Sequence, residues 1–114
     1  MAQAKRKLAA ILSADVVGYS RLMGADERAT LETLDTCRAV FAGNIKNHDG
    51  RLVDTAGDSV LAVFDSVVEA VQCAIAVQTE IGDRNVALAE ARRMRFRIGV
   101  NLGDVIAKDD GTIY

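Results

Sequence analysis

The order of short β-type runs and long amphipathic patterns constrains the fold of this 114-residue chain more than any other feature. The first run, residues 8–17, is almost wholly apolar and precedes Gly18, as expected for a strand buried on both faces. Gly57-Asp58 separates two β-rich runs and predicts a hairpin. Together the runs predict strands at 8–17, 51–56, 59–64 and 95–101, with a turn at 102–104 before a trailing segment at 105–107.

The two amphipathic patterns predict helices. Asp26 can cap a helix from about Glu27 to Asn47, whose apolar residues recur at helical spacing. Ser66 and Glu69 form a capping box that opens a second helix, and a polar connector over 82–94 with one or two helical turns follows it. The order β-α-β-β-α-β predicts an α+β fold of the ferredoxin-like split βαβ type, an antiparallel sheet with both helices on one face.

Composition narrows the class of protein. Half of the residues are apolar and the formal net charge is −2, which favours one compact domain and argues against a nucleic-acid partner. The apolar run after the basic cluster at 5–7 is too short to cross a bilayer, and Cys37 and Cys73 fit free buried thiols. We therefore expect a cytoplasmic protein with no membrane segment in this chain, an N-terminal tail at 1–7 and a domain at 8–114.

Two acids occupy positions where an unpaired carboxylate is unfavourable. Asp15 lies near the end of the apolar strand, and Asp58 lies at the predicted hairpin tip. In a split βαβ sheet these two sites can converge, and a divalent cation between the carboxylates would relieve their repulsion. At Gly18, backbone N–H groups can face an anion. Each feature alone also has an ordinary explanation, because a Gly-Asp pair in a hairpin is usually just a turn and an Asp near the end of a strand is usually a cap.

Three blocks of sequence resemble the motifs of class III nucleotide cyclases. Residues 15–20 (DVVGYS) are similar to the family's opening motif, residues 54–59 (DTAGDS) to its Gly-Asp hairpin, and residues 96–104 (FRIGVNLGD) to its Arg-x-Gly strand. The blocks follow the family's order and spacing over essentially the whole chain. The resemblance implies a cyclase catalytic domain in cyclic-nucleotide signalling, and a homodimer, because protomers of this family share their active sites.

The resemblance also implies roles for individual residues. Asp15 and Asp58 match the two aspartates that hold two Mg²⁺ or Mn²⁺ ions, and the backbone of Val16 is expected to join this metal site. The ions would assist attack of the ribose 3′-hydroxyl on the α-phosphorus, with pyrophosphate leaving. The nucleotide is expected to contact the first turn and the hairpin, at Val17, Gly18, Tyr19, Ser20 and Gly57.

Base recognition departs from the family's pattern. Asp54 stands where the family usually has a base-reading lysine, and Thr112 matches the partner position. A carboxylate cannot donate to adenine N1, but it can accept from the adenine amino group, or from guanine N1–H and its amino group. ATP, which most of the family uses, is the first expectation for the nucleotide, and GTP is close behind.

Catalytic competence depends on residues beyond these motifs. The family continues with Gly-Asp-x-x-Asn-x-x-x-Arg, which orients the ribose and stabilises the transferring phosphoryl group, and these 114 residues contain no match to it. We expect the 114-residue polypeptide alone to be inactive or nearly so. Asp54 keeps open a non-catalytic nucleotide-binding or dimerisation module, and an unrelated ferredoxin-like domain is a third interpretation. Arg95 and Arg97 are expected to face solvent or a partner protomer.

Overall fold

The computed structural model describes residues 4–108, with side chains described for residues 6–106. This part of the chain forms four strands and three α-helices. In order they are β1 (Ala4–Val16), α1 (Tyr19–Ala25), α2 (Glu27–Asn47), β2 (Arg51–Asp54), β3 (Val60–Phe64), α3 (Val67–Val86) and β4 (Phe96–Lys108), with a 3₁₀ turn at Glu90–Arg92 before β4.

The strands form one antiparallel sheet in the order β2-β3-β1-β4. Alternate residues of β1 and β3 are buried on one face, and they form a single core with residues of the helices. Phe41 of α2 meets Phe96 of β4 there, edge to face, with ring centroids 5.0 Å apart. The predicted α+β split βαβ arrangement, with the helices on one face of an antiparallel sheet, is confirmed.

The long pairing of β1 with β4 differs from the sequence-based prediction. Residues 4–7, predicted to belong to a tail, pair with β4, and β4 continues without a turn through 102–104 to Lys108. Gly103 lies opposite Ala9, and a Cβ at Gly103 would come within 2.9 Å of the Ile11 side chain. This glycine therefore allows close packing within the sheet rather than a change of direction.

One short helix was not predicted, whereas the helical turns predicted within 82–94 are present. The short helix α1 follows Gly18, whose left-handed backbone (φ 67°) redirects the chain after β1. Helix α3 extends to Val86, beyond the predicted end near residue 81. The Asn85 side chain exchanges hydrogen bonds with the backbone of Met94, at 2.9 and 3.2 Å, and so holds the connector against the end of the helix.

Two cysteines and one threonine occupy the core. Cys37 and Cys73 are free thiols, and burial raises the pKa of each to about 11, with Arg84 working in the opposite direction at Cys37. Thr30 is fully buried, and its hydroxyl donates to the carbonyl of Leu22 at 2.9 Å. No helix within residues 4–108 combines the length and the apolarity needed to cross a bilayer.

Candidate active site

Asp15 lies on the open face of the sheet, opposite the helices. Its neighbours Ala14 and Val16 are buried in the core, and successive residues of a strand point to opposite faces. Arg97 is its register partner on β4, and Arg97 Nε donates to Asp15 Oδ1 at 2.9 Å. Arg97 is exposed, as expected, but it also neutralises Asp15. The side chains are 72% and 45% exposed, so the pair stabilises the fold by ~1 kcal/mol at most.

Asp58 reaches the same end of β1 from the β2–β3 loop. The β1–β3 ladder ends at the pair Ala14–Val60. The N–H of Val17 donates to Arg95 on the β4 side at 2.8 Å, so the preceding N–H, that of Val16, points toward β3. Asp58 Oδ2 accepts this hydrogen bond at 3.0 Å and takes the place of a further ladder acceptor. Asp58 is thereby joined to the residue that follows Asp15.

The turn after β1 presents the predicted nucleotide-binding residues. Val17, Gly18 and Ser20 are exposed, whereas the Tyr19 side chain is half-buried and packs against the core. The Arg21 guanidinium folds back over Gly18, where a Cβ would lie 3.1 Å from Arg21 Nη2. Gly18 therefore accommodates both a left-handed turn and a close cation.

Asp54 lies on the same open face as Asp15 because of a β-bulge. Residues of β2 and β3 pair as Leu52 with Ala62, and then Asp54, rather than Val53, pairs with Leu61. A depression of about 560 Å³ on this face is lined by Asp15 and Asp54 together with Arg97 and seven other residues. The structure thus brings two of the predicted site residues into one depression. Thr112, predicted to contact the base, lies outside the described residues.

The two carboxylates suit a hard divalent cation. Each is engaged through one oxygen, Asp15 with Arg97 and Asp58 with Val16, and each retains a second oxygen without a hydrogen bond among the described residues. Carboxylate oxygens are the ligands that Mg²⁺ and Mn²⁺ prefer, often with waters and substrate phosphates completing the shell. Residues 4–108 contain no cluster of three or more His, Cys, Asp or Glu side chains that could hold a metal without such help.

Sequence reasoning overlooked two arginines near these acids. Arg97 was expected at the surface without a link to Asp15, and only the β1–β4 register reveals that link. Arg38 of α2 donates to carbonyl groups of the loop that carries Asp58. No local motif marks Arg38, since its contacts depend on how α2 packs against that loop.

Comparison with known proteins identifies the class of this domain. A family model of the adenylate and guanylate cyclase catalytic domain matches residues 1–113. A protein of Rhizobium meliloti (strain 1021), "Putative adenylate cyclase 3", is 47% identical over 107 residues, which cover 92% of this chain and 18% of that protein. The crystal structure of an adenylate/guanylate cyclase/hydrolase from Silicibacter pomeroyi is 37% identical, with a TM-score of 0.85, over 98% of this chain and 65% of that one.

The chain is also similar to part of a larger protein that is named as a kinase. The serine/threonine-protein kinase pkn2 of Myxococcus xanthus is 29% identical over 104 residues, which cover 90% of this chain and 12% of that protein. The fold and these similarities define an α+β domain of the nucleotide-cyclase class. The chain belongs to the family of adenylate and guanylate cyclase catalytic domains. It spans less than a fifth of the length of these two relatives, at 18% and 12%.

Proposed function

We propose that this chain forms part of a nucleotide cyclase that converts a purine nucleoside triphosphate to its 3′,5′-cyclic nucleotide and pyrophosphate. The observation that carries the proposal is the hydrogen bond from Val16 N–H to Asp58, at 3.0 Å. It ties the second predicted metal carboxylate to the residue beside the first. The similarity to cyclase catalytic domains over nearly the whole chain supports the same function.

The residues of the open face take distinct roles in this proposal. Asp15 and Asp58, with the Val16 backbone, hold two Mg²⁺ or Mn²⁺ ions. Bound there, the ions would supply charge neutralisation of the triphosphate and would lower the pKa of the ribose 3′-hydroxyl. The backbone of the turn from Val17 to Ser20, together with Gly57, faces the phosphates in this proposal. Arg97 orients Asp15 by a 2.9 Å hydrogen bond to its Oδ1.

Nucleotide choice centres on Asp54. ATP is our first candidate substrate, because the relative that is 47% identical carries the name of an adenylate cyclase. GTP is the direct comparison, because one carboxylate can accept hydrogen bonds from both N1–H and the amino group of guanine, whereas adenine N1 is itself an acceptor. We expect Asp54→Lys to shift the ratio of binding constants toward ATP, measured by calorimetry with both nucleotides.

Binding is the first test of this function. Calorimetry with Mn²⁺ and non-hydrolysable analogues of ATP and GTP should give saturable binding that Asp15→Asn and Asp58→Asn each abolish. Asp83→Asn, at an exposed position on α3, is the matched control and should bind as the wild type does. Binding that survives both site substitutions, or no binding at all, would refute the proposed site.

Arg97 provides a second test, in which a substitution is expected to strengthen Mn²⁺ binding rather than abolish it. One oxygen of Asp15 has no hydrogen bond within the described part of the chain and can bind a cation, but the positive charge of Arg97 beside it competes electrostatically with Mn²⁺ for this carboxylate. Arg97→Gln should therefore strengthen Mn²⁺ binding, by up to about fivefold, the equivalent of ~1 kcal/mol for an exposed ion pair. Electron paramagnetic resonance of free Mn²⁺ measures this directly, and weaker binding by the variant would contradict the competition.

Turnover by the 114-residue polypeptide alone is expected to be low. The proposed reason is that the family's transition-state Asn and Arg have no match within these residues. A radiometric assay with Mn²⁺ should find little cyclic AMP or cyclic GMP from the polypeptide, even where binding is clear. Robust product formation would show that other residues supply this stabilisation.

A non-catalytic module is the second candidate function, and Asp54 in place of the usual lysine favours it. Such a module would bind nucleotide or form a homodimer without turnover. Sedimentation analysis with and without Mn²⁺ and nucleotide tests for the homodimer. Nucleotide binding that Asp15→Asn leaves unchanged would favour this candidate over the cyclase.

A further inference from the structure

The loop that carries Asp58 is held from behind by an arginine of α2. We call residues 55–59 the Asp58 loop. Arg38 Nη2 donates to the carbonyl oxygen of Thr55 at 3.2 Å and to the carbonyl oxygen of Gly57. Arg38 Nη1 lies 3.7 Å from Asp35 Oδ1 on the same helix. One guanidinium therefore connects a rigid helix to two successive parts of the loop.

The contact with Gly57 bears directly on the placement of Asp58. The Gly57 carbonyl belongs to the planar peptide group that leads to the Cα of Asp58, so holding its oxygen orients that plane. Gly57 adopts a left-handed backbone (φ 58°), which lets the loop present its carbonyl to Arg38 at little steric cost. On the other side of the loop, the Asp58 carboxylate accepts from Val16 N–H. Asp58 is thus fixed by one hydrogen bond to β1 and by one anchor on α2.

The burial of Arg38 indicates that these loop contacts are its main interactions. Its Nε is buried without a hydrogen-bond partner among the described residues, which carries a desolvation penalty. Its acidic neighbour Asp35 is 78% exposed, so that ion pair stabilises little. The hydrogen bonds to the carbonyl oxygens of Thr55 and Gly57 are therefore the main contacts that hold the half-buried Arg38 guanidinium against the Asp58 loop.

We propose that Arg38 is a positioning residue for the metal-binding carboxylate of Asp58, an assignment that rests on the proposed function. Arg38 does not touch metal or nucleotide in this proposal. It restricts the rotation of the peptide before Asp58, and so keeps the carboxylate beside Val16 and Asp15. Loss of such outer partners typically weakens metal binding about 10-fold or more.

The test measures Mn²⁺ binding by electron paramagnetic resonance for the wild type, Arg38→Ala and Arg38→Lys. We expect about 10-fold weaker binding for Arg38→Ala. Arg38→Lys should show a smaller loss, because an ammonium group can donate to these carbonyls without the planar fork. Arg28→Ala is the matched control on α2. The Arg28 side chain is 92% exposed, and its Nε lies 3.7 Å from Glu32 Oε1 on the same helix. This control variant should bind Mn²⁺ as the wild type does.

Two further measurements distinguish positioning from general stability. Circular dichroism gives the folded fraction of each variant, and a merely structural role would lower the unfolding midpoint without changing the Mn²⁺ affinity of the folded protein. Hydrogen exchange of the Val16 amide, measured without metal, should accelerate in Arg38→Ala. If Arg38→Ala does not fold, the Mn²⁺ affinity and the Val16 amide exchange of Arg38→Lys are compared with those of the wild type instead.

The outcomes separate this assignment from the proposed function. Wild-type Mn²⁺ binding with unchanged affinity in a folded Arg38 variant would overturn the positioning role alone. Absence of Mn²⁺ binding by the wild type would overturn the proposed metal site, and the role of Arg38 with it. Weaker binding and faster Val16 exchange in the variant, with the Arg28 control unchanged, would establish the positioning role.

Discussion

Replacing Asp58 by Asn or by Ala separates two contributions of this carboxylate, one to the fold and one to the proposed metal site. In the native structure, Asp58 Oδ2 accepts from the backbone N–H of Val16 at 3.0 Å, and Val16 is only 3% exposed. Asn retains an acceptor oxygen of similar reach but no charge. Ala removes the acceptor altogether and leaves a buried N–H without its partner.

The expected magnitudes follow from this single hydrogen bond. A buried donor left without its partner destabilises a fold by about 1–3 kcal/mol, so Asp58→Ala should lower the free energy of unfolding by that amount. Asp58→Asn replaces a charge-assisted bond with a neutral one and should lower it by about 1 kcal/mol. In a domain of this size, 1 kcal/mol corresponds to roughly 4–8 °C in the unfolding midpoint.

Urea unfolding followed by circular dichroism, without metal at pH 7, measures the first contribution, and Mn²⁺ titration measures the second. Both variants should lose Mn²⁺ binding, and Asp58→Ala should lose at least as much stability as Asp58→Asn. Asp83→Asn, on the exposed side of α3, should change neither quantity. An Asp58→Ala protein as stable as the wild type would refute the structural role of the hydrogen bond. Full Mn²⁺ affinity in a folded Asp58→Asn protein would refute the metal role.

Two further predictions concern the glycines at positions 43 and 50 and the two buried cysteines. A Cβ at Gly50 would come within 2.3 Å of the buried Phe64 ring, so Gly50→Ala should lower the free energy of unfolding by about 1–3 kcal/mol. A Cβ at Gly43 meets nothing within 4 Å, so Gly43→Ala should raise the free energy of unfolding by about 0.5–1 kcal/mol. Equal urea midpoints for the two variants would contradict this packing. Because burial raises the pKa of Cys37 and Cys73 from 9.0 to about 11, the unfolded chain releases these protons first and stability should fall between about pH 9 and 11. At pH 8 a thiol reagent should label the native protein only as fast as it opens, and rapid labelling would contradict their burial.

Helix boundaries were predictable where short-range capping sets them. Asp26 accepts from the N–H of Ala29 at 3.0 Å, and α2 runs over Glu27–Asn47 as the sequence predicts. Ser66 caps α3 through the N–H of Glu69 at 3.3 Å. Each capping bond joins residues that are three positions apart, so the local sequence is enough to predict where these helices begin.

The β1–β4 ribbon was predicted less well because its pairing is not local. The sequence at 102–104 has the composition of a turn, but thirteen consecutive pairs with β1 hold it extended. The same pairing recruits residues 4–7, whose basic side chains suggest a solvated tail when they are considered alone. A turn preference contributes little against a ladder of this length, and only the partner strand reveals the outcome.

The candidate site shows the same division between local and distant information. Asp15 and Asp58 were identifiable because a carboxylate at the end of an apolar strand, or at a hairpin tip, is locally conspicuous. Their actual partners lie 82 and 42 residues away: the β1–β4 register pairs Asp15 with Arg97, and the β2–β3 loop brings Asp58 to Val16. Sequence reasoning therefore singled out these acids as candidates, but it could not show that Arg97 forms an ion pair with one of them.

Asp54 depends on register most strongly of all. If β2 and β3 paired without interruption after Leu52, Asp54 would lie opposite Val60, a core residue that is 2% exposed. The bulge shifts the pairing by one residue and sets Asp54 opposite Leu61, so its carboxylate faces the same depression as Asp15. All four residues of β2 are exposed, and Leu52 is 40% exposed although it pairs with the core residue Ala62, so the bulge decides the face on which Asp54 lies rather than its burial. The residue that stands in place of the expected lysine therefore shares a depression with Asp15 because of a register shift, which the local sequence does not reveal.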